Sequence, residues 1–474
     1  MATQYEPLSP DWWVRRLHKQ LADRQEPLDV LQDYYCGEHP LPFLPEKARG
    51  EFRRLLRMAR ANYMQLVVDA VVGRLQVMGI RMSSAEDEPD DRVWEIWQAN
   101  RLDADSRLVF SESVKLGTAY MLVEPNKDDP AMPLVTPEHP SQAIVEYQPG
   151  SRRKKAAGLK CFLDDWTGNI VATLMLPDRI YPFQAKYSQG QQEIRWEAGE
   201  DGPNPLGEVP LVEYANRPQM LEPGTSEIAG VVDIQDRINK TLADRLMAQE
   251  YGAFRQKWAT GIEIPSDPET GQAVEPYKAA VDRLFLSEDP ASRFGDFNAT
   301  DLTPYLSAMR DDIKDIAAIT ATPPHYLLGD MVNLSAEALK AAEAGLISKV
   351  RDHMLYLGEA IEDTTRLYLK AAGDARPVDY STEVVWKNPE FRTEGELVDA
   401  LTKMKTLGVP DEALWERWGA SPQEIKRWRE IRDQREQDAA SRLLGGDLAA
   451  LTGPKPDAGP NDQQPPPAGP PAAG

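Results

Sequence analysis

Apolar residues recur at helical spacing along most of this chain and at strand spacing in a single block. Ser9-Pro10-Asp11 places a hydroxyl, a proline and an acid where a helix begins. Trp13, Leu17 and Leu21 follow at every fourth residue and predict one buried stripe. Tyr34 to Pro40 ends that helical region. The spacing predicts a second helix over 51–77, an acidic loop over 83–91, and a third helix over 92–117 with Trp94, Trp97, Leu102 and Phe110 in the core. The period then changes. Short apolar or alternating runs at 120–124, 143–147, 159–163, 170–176, 193–196 and 210–214 are separated by Pro, Gly and Asp turns. They predict an antiparallel meander packed on the preceding helices.

Helical spacing returns at Ser226, a candidate cap, followed by the stripe Ile228, Val231, Ile238, Leu242 and Leu246. Residues 262–286 are extended and rich in turns. Leu306, Met309, Ile313, Ile316 and Ile319 predict a helix over 302–320, which Pro323-Pro324 cannot continue. After a loop over 329–334, Ser335 opens the longest helix, to about 372, with the stripe Leu339, Ala342, Leu346, Val350, Met354, Leu357, Ile361 and Tyr368. At 1.5 Å per residue it spans roughly 55 Å. A short strand over 384–386 and helices over 394–406, from Pro410, and from Ser421 to about Leu444 complete the pattern. From Gly445 the composition is Gly, Pro, Ala, Asp and Gln, which buries no core and predicts a disordered tail. The predicted class is α+β, predominantly helical.

Composition narrows the function. The 474 residues suffice for two or three domains. The 54 basic and 76 acidic side chains give a net charge of −22, so the mean field opposes tight binding of a phosphate backbone. Two readings of that charge stay open: simple solubility, or a surface past which DNA moves without sticking. Ser226 to Trp258 balances Glu227, Asp233, Asp236, Asp244 and Glu250 against Arg237, Lys240, Arg245, Arg255 and Lys257, so the acidic excess lies elsewhere, partly in Glu86 to Asp91. The basic run Ser151 to Lys155 has no interleaved aromatics to stack on bases and reads as a solvated turn. Cys36 and Cys161 make neither a disulfide framework nor a zinc site. Met1 to Pro10 lacks a secretory pattern, and no apolar run is long enough to span a bilayer. A soluble intracellular product without a membrane partner is expected.

Chemistry-bearing motifs are missing. There is no phosphate-binding Walker loop, no Gly-x-Gly-x-x-Gly after a strand and no His-Glu-x-x-His. The five histidines are scattered. The adjacent pairs Asp128-Asp129, Asp164-Asp165 and Asp311-Asp312 point apart on any regular backbone and read as surface. Ser141, Ser226 and Ser335 lie outside any nucleophile elbow. No catalytic, cofactor-binding or metal-binding residue is predicted. Three classes remain: a structural protein built from many copies of one chain, a cytosolic helical scaffold or adaptor, and an enzyme with an unrecognised site.

Several blocks, in order, carry a resemblance. Tyr34-Tyr35-Cys36-Gly37-Glu38-His39-Pro40-Leu41 resembles an N-terminal element of portal proteins from long-tailed (siphovirus-type) bacteriophages. Asn62 to Gly79, Asn100 to Asp103 followed by Lys115 to Tyr120, and Ile319 to Gly329 with its Pro323-Pro324-His325-Tyr326-Leu327-Leu328 core resemble later ones. The resemblance spans about Asp11 to Leu444. It implies a ring, usually of twelve copies, at one capsid vertex of a virion, assembled in the host cytoplasm. It implies that the ring is the conduit for packaging and ejecting double-stranded DNA, with only weak, non-specific DNA contact.

The implied divisions are a wing over 1–225, a first stem helix over 226–258, a clip over 259–300, and a second stem helix over 301–321. A tunnel-loop region over 322–334, the long helix over 335–372, a wing return over 373–420, a crown helix over 421–444 and a tail over 445–474 follow. The implied partners are identical copies, the large terminase subunit, a head–tail adaptor, and the major capsid and scaffolding proteins. The resemblance makes Asp330, Met331, Val332 and Asn333 the loop that faces DNA. It gives Ile238, Leu242, Leu246, Leu306, Met309 and Ile313 to stem–stem packing between copies.

Overall fold

Helix α1, Pro10–Cys36, starts as the sequence predicts: the Ser9 hydroxyl accepts the Trp12 N–H at 3.3 Å, and Pro10 sits in the first turn. Gly37, left-handed at φ 77°, ends it, and the Gly37 and Glu38 N–H groups donate to the carbonyls of Tyr34 and Asp33. The computed structural model describes residues 5–43, 53–82, 91–186, 194–220, 223–253, 257–260, 290–296, 301–329, 336–374, 382–390 and 394–452.

The helix expected over 51–77 is divided. Residues 53–58 are helical, α2 spans Met64–Val72, and strand β1 spans Val77–Arg81. Side chains from elsewhere cause the break. The N–H groups of Ala61 and Tyr63 donate to the side chains of Asn239 and Gln235. The helix expected over 92–117 also divides, into α3, Asp91–Ala99, and α4, Leu102–Leu116. Asn100 breaks it: its amide nitrogen donates to the carbonyls of Ile96 and Pro133, its oxygen accepts from Val135 N–H, and Arg101 turns left-handed at φ 56°.

The expected single meander is two sheets. Strands β2, Thr118–Glu124, and β3, Leu134–Glu138, join a later strand in the antiparallel order β10-β2-β3. The meander proper is β4, Ala143–Tyr147; β5, Lys155–Asp164; β6, Asn169–Met175; β7, Arg179–Lys186; and β8, Glu197–Ala198, with β9, Gly202–Pro203, also pairing β7. Strand β10 is Leu211–Ala215. Strands β3 and β7 escape sequence reading because Pro137 and Pro182 interrupt their alternation. Trp13, Val14, Leu17 and Leu21 of α1 pack on Leu159, Ala172, Leu174 and Phe183 of the six-stranded sheet.

A second, larger core joins α2, α3, α4 and β2 to the helices that follow. Ser226 does not cap the next helix. Its hydroxyl donates to the carbonyl of Lys115 at 2.6 Å, and a 3-10 turn, Ala229–Val231, leads into α5, Val232–Ala253. Beyond it, β11, Lys257–Thr260, and β12, Arg293–Asp296, pair antiparallel. Helix α6 is Thr303–Ile319, α7 is Pro324–Leu328, and α8 is Ala336–Ala371. The stripe predicted for α8 is buried at Leu346, Val350, Met354, Leu357, Ile361 and Tyr368, whereas Ala342 is exposed. Strand β13, Glu383–Trp386, returns to pair antiparallel with β1.

The chain divides into two compact units, 1–398 and 399–474. The boundary falls inside α9, Glu394–Thr406. The second unit holds α10, Asp411–Trp418, and α11, Pro422–Thr452. Ser421 and Glu424 form a reciprocal capping box at the start of α11, with the Ser421 N–H donating to the Glu424 carboxylate at 2.8 Å. Trp415 stands edge-on to Trp428 at 5.6 Å, and Arg432 pairs with Glu412 at 2.7 Å. Helix α11 runs past the expected end at Leu444; the remaining tail lies outside the described residues.

Candidate functional site: the roots of the paired helices

Helices α5 and α6 lie side by side, and their inner ends meet the middle of α8. Ile238 of α5 and Ile313, Ile316 and Ala317 of α6 are buried with Leu346 and Val350 of α8. Around this apolar contact sit three polar clusters, each tying a segment remote in sequence to a helix root.

The first cluster explains the Tyr34 to Leu41 block. Gln235 and Asn239, one turn apart on α5, are fully buried. The Gln235 side chain accepts from Tyr63 N–H at 3.1 Å and donates to the Ala61 carbonyl at 2.7 Å. Asn239 accepts from Ala61 N–H and from Gln235, and its amide nitrogen donates to His39 Nδ1 at 2.9 Å. Because Nδ1 accepts, Nε2 carries the proton that reaches the Tyr34 carbonyl at 3.0 Å; His39 is the neutral Nε2–H tautomer. Burial pushes its pKa down, which matches that state. Tyr34 stacks on the His39 ring and donates its hydroxyl to Asp236 at 2.8 Å, and Tyr35 donates to Asp69 at 3.1 Å.

The second cluster is ionic. Glu227, just ahead of α5, is buried with Lys349 and His353 of α8. Lys349 Nζ lies 2.6 Å from the Glu227 carboxylate and donates to the Thr320 carbonyl, at the end of α6, at 2.7 Å. His353 Nδ1 donates to the Lys349 carbonyl, leaving Nε2 3.2 Å from Glu227. Arg217 approaches the same carboxylate at 3.2 Å from the rim. Burial alone would raise the Glu227 pKa, but His353 and Lys349 outweigh it and hold the carboxyl well below the usual range. One carboxylate thus joins the entry to α5, the exit from α6 and the centre of α8.

The third cluster fixes the Pro-Pro segment. Arg74 donates to the Tyr326 hydroxyl at 2.7 Å and to the Pro389 carbonyl at 2.5 Å, and pairs with Glu343 of α8 at 3.2 Å. Tyr326 also donates to Glu343. Gly329, left-handed at φ 69°, closes α7. The backbone is therefore anchored immediately before 330 and, through Glu343, soon after 335. Beside the Glu227 cluster, Gly117 and Gly224 cross so closely that a Cβ on Gly117 would lie 2.7 Å from the Gly224 carbonyl, and one on Gly224 would lie 1.9 Å from that of Gly117. This crossing explains the glycine in the Lys115 to Tyr120 block.

No group of potential metal ligands occurs among the described residues, and no described helix is long and apolar enough to cross a membrane. The arrangement ties segments remote in sequence to the ends of α5 and α6 and to α8. A family model described as "Phage portal protein, SPP1 Gp6-like" matches residues 16–438. The chain belongs to this phage portal family. The portal protein of Mycobacterium phage D29 is 32% identical over 446 residues, 89% of this chain and 88% of that one. The portal protein of Mycobacterium phage L5 is 31% identical over 468 residues, 93% of each. A solved structure titled "Virion of native gene transfer agent (GTA) particle" aligns with a TM-score of 0.38 and 13% identity, over 79% of this chain and 90% of that one. The portal family is structural, so the chain is a virion component that assembles with other phage proteins.

Within this portal chain, the residues expected to pack stem on stem part company. Ile238 and Ile313 are buried inside the single chain. Leu242, Leu246 and Met309 are half-buried, and Leu306 is exposed. The expected DNA-facing residues Asp330, Met331, Val332 and Asn333, and most of the expected clip, lie outside the described residues. Sequence reading missed Gln235, Asn239, Glu227 and Lys349. Polar residues on an amphipathic helix look like its wet face, and only their distant partners show otherwise.

Proposed function

We propose that this portal chain closes into a ring of about twelve copies at one capsid vertex, as the family pattern implies, through heterologous contacts. The ring is the conduit through which double-stranded DNA enters and leaves the capsid. In that ring α5 and α6 are the two stem helices, 259–300 the clip that meets the large terminase subunit and later the head–tail adaptor, and 1–225 the wing. Asp330 to Asn333 form the tunnel loop, whose lack of lysine and arginine suits weak, sliding contact with DNA.

The observation that carries this reading is the uneven finish of the paired helices. On the face shared with α8, Ile238, Ile313, Ile316 and Ala317 are sealed within one chain, whereas Leu306 and Ile319 of α6, and Leu355 and Tyr356 of α8, are exposed. In a virion component that assembles with other phage proteins, these side chains are available to a neighbouring copy. Negative-stain microscopy of the purified protein tests it. Rings with a central hole are expected; monomers alone, at high concentration and in every salt, contradict it. A chain lacking 329–334 is expected to form the same rings yet package or retain DNA poorly.

A further inference from the structure

The most exposed large aromatic among the described residues belongs to a rigid structure. Trp166 is 98% exposed at the tip of the β5–β6 hairpin. The turn beneath it is locked: Asp164 accepts from the Trp166 N–H at 3.0 Å and the Thr167 hydroxyl at 2.7 Å, while Gly168, at φ 69°, donates to the Asp164 carbonyl. The pinned turn fixes the backbone that carries Trp166, so docking has only its side chain left to order. Leu163 beside it is 45% exposed, and Asp164 and Asp165 make the tip acidic.

A cleft of complementary chemistry lies at the start of α1. Tyr5, Pro7 and Trp12 wall a cavity of about 630 Å³; Arg15, Arg16 and Lys19 outnumber its one acid, Glu6, and Arg16 is already paired with Glu146. The Arg15 guanidinium sits 4.2 Å over the Tyr5 ring, and that of Arg16 lies 5.3 Å from the Trp12 ring, so walls and cations are already set against one another. Lys19 is exposed.

The tip cannot reach its own cleft. Arg16 grips Glu146 of β4 at 2.8 Å, and Glu146 pairs with Ala157 of β5. The hairpin tip at Asp164 lies seven residues farther along β5, about 23 Å at ~3.3 Å per residue. Arg24, about two turns later in α1, meets the Ala143 carbonyl, and Ala143 pairs with Lys160, nearer the tip, so the helix N-terminus points away from the tip. Knob and cleft stand at opposite ends of one sheet, the layout of a head-to-tail contact.

We propose that the Trp166 hairpin tip inserts into the α1 cleft of a second copy of this chain, Trp166 stacking among Tyr5, Pro7 and Trp12 while Asp165 meets Lys19. This contact rests on the ring reading and adds a specific joint to it. The test uses the full-length protein, followed by light scattering across a dilution series and by microscopy. Trp166→Ala is expected to raise the concentration at which rings fall apart about thirtyfold, as for a buried aromatic anchor. Asp165→Lys is expected to raise it about fivefold, with recovery when combined with Lys19→Glu. Both sites are exposed, so the unassembled chain should melt as before, which separates a lost joint from a lost fold. Rings of unchanged stability in both variants overturn the joint and leave the ring standing. Intact rings that fail only to enter capsids overturn it too, because the hairpin then faces another particle protein. A wild-type chain that never forms rings overturns joint and ring together.

Discussion

The inner and outer halves of the paired helices obey different rules. At the inner end, every buried polar group of Gln235 and Asn239 has a partner, and Ile238, Ile313 and Ile316 see no solvent. At the outer end, Leu246 and Met309 are half-covered and Leu306 is open. Both ends carry the same apolar periodicity, so periodicity alone does not say whether a stripe serves the chain or its neighbour. What distinguishes them is polar completion. At the root, the Gln235 and Asn239 amides and the Glu227 carboxylate are matched by remote residues; at the outer end, Leu246 is only partly covered, by the Leu56 and Ala59 cluster, and Leu306 is open.

Breaking the inner end should cost most. Glu227→Ala leaves Lys349 and His353 facing an empty buried space, and a loss of about 3–5 kcal/mol is expected, read by chemical denaturation of the unassembled chain. The same carboxylate gives a pH signature. Its folded pKa is depressed, so the unfolded chain takes up its proton first as pH falls. Its contribution is complete above the ordinary glutamate range and declines as pH drops below it. Glu227→Gln should flatten that part of the acid limb. Next comes Asn239→Ala, which strips partners from Ala61 N–H and His39; a loss of about 2 kcal/mol is expected.

A gain is expected on α8. Glu362 is pushed up to about 7, first by burial and then by Glu359. A raised carboxyl destabilises the fold as pH climbs from the ordinary glutamate range through 7. Glu362→Gln should therefore stabilise the chain at pH 8 but not at pH 4, by about 1 kcal/mol once solvent screening of this part-exposed group is allowed for. The smallest effect on folding should come from the outer end. Leu306→Ala should change the unassembled chain by less than about 0.5 kcal/mol while raising the concentration at which rings dissociate. If Leu306→Ala instead unfolds the chain, the two halves are not distinct.

Much of the frame was legible from sequence. The α8 stripe from Leu346 to Tyr368, the start of α1 at Ser9 and the stop at Pro323-Pro324 follow from spacing and backbone sterics. The split at Asn100 and the interruption at Ala61 were not, because each is imposed by a hydrogen bond to a residue far along the chain. The Tyr34 to Leu41 block was visible as a pattern, but the reason for its histidine lies 200 residues away at Asn239. Helix roots held by polar side chains are the least readable feature, since Gln235 and Lys349 look solvent-facing until the fold supplies their partners.

The most direct test of the distinction is oxidative footprinting of side chains, comparing the unassembled chain with the ring. Leu306, Met309 and Leu246 should lose reactivity on assembly, while Ile238 and Ile313 stay protected in both states. Equal reactivity of Leu306 and Met309 before and after assembly would contradict the account.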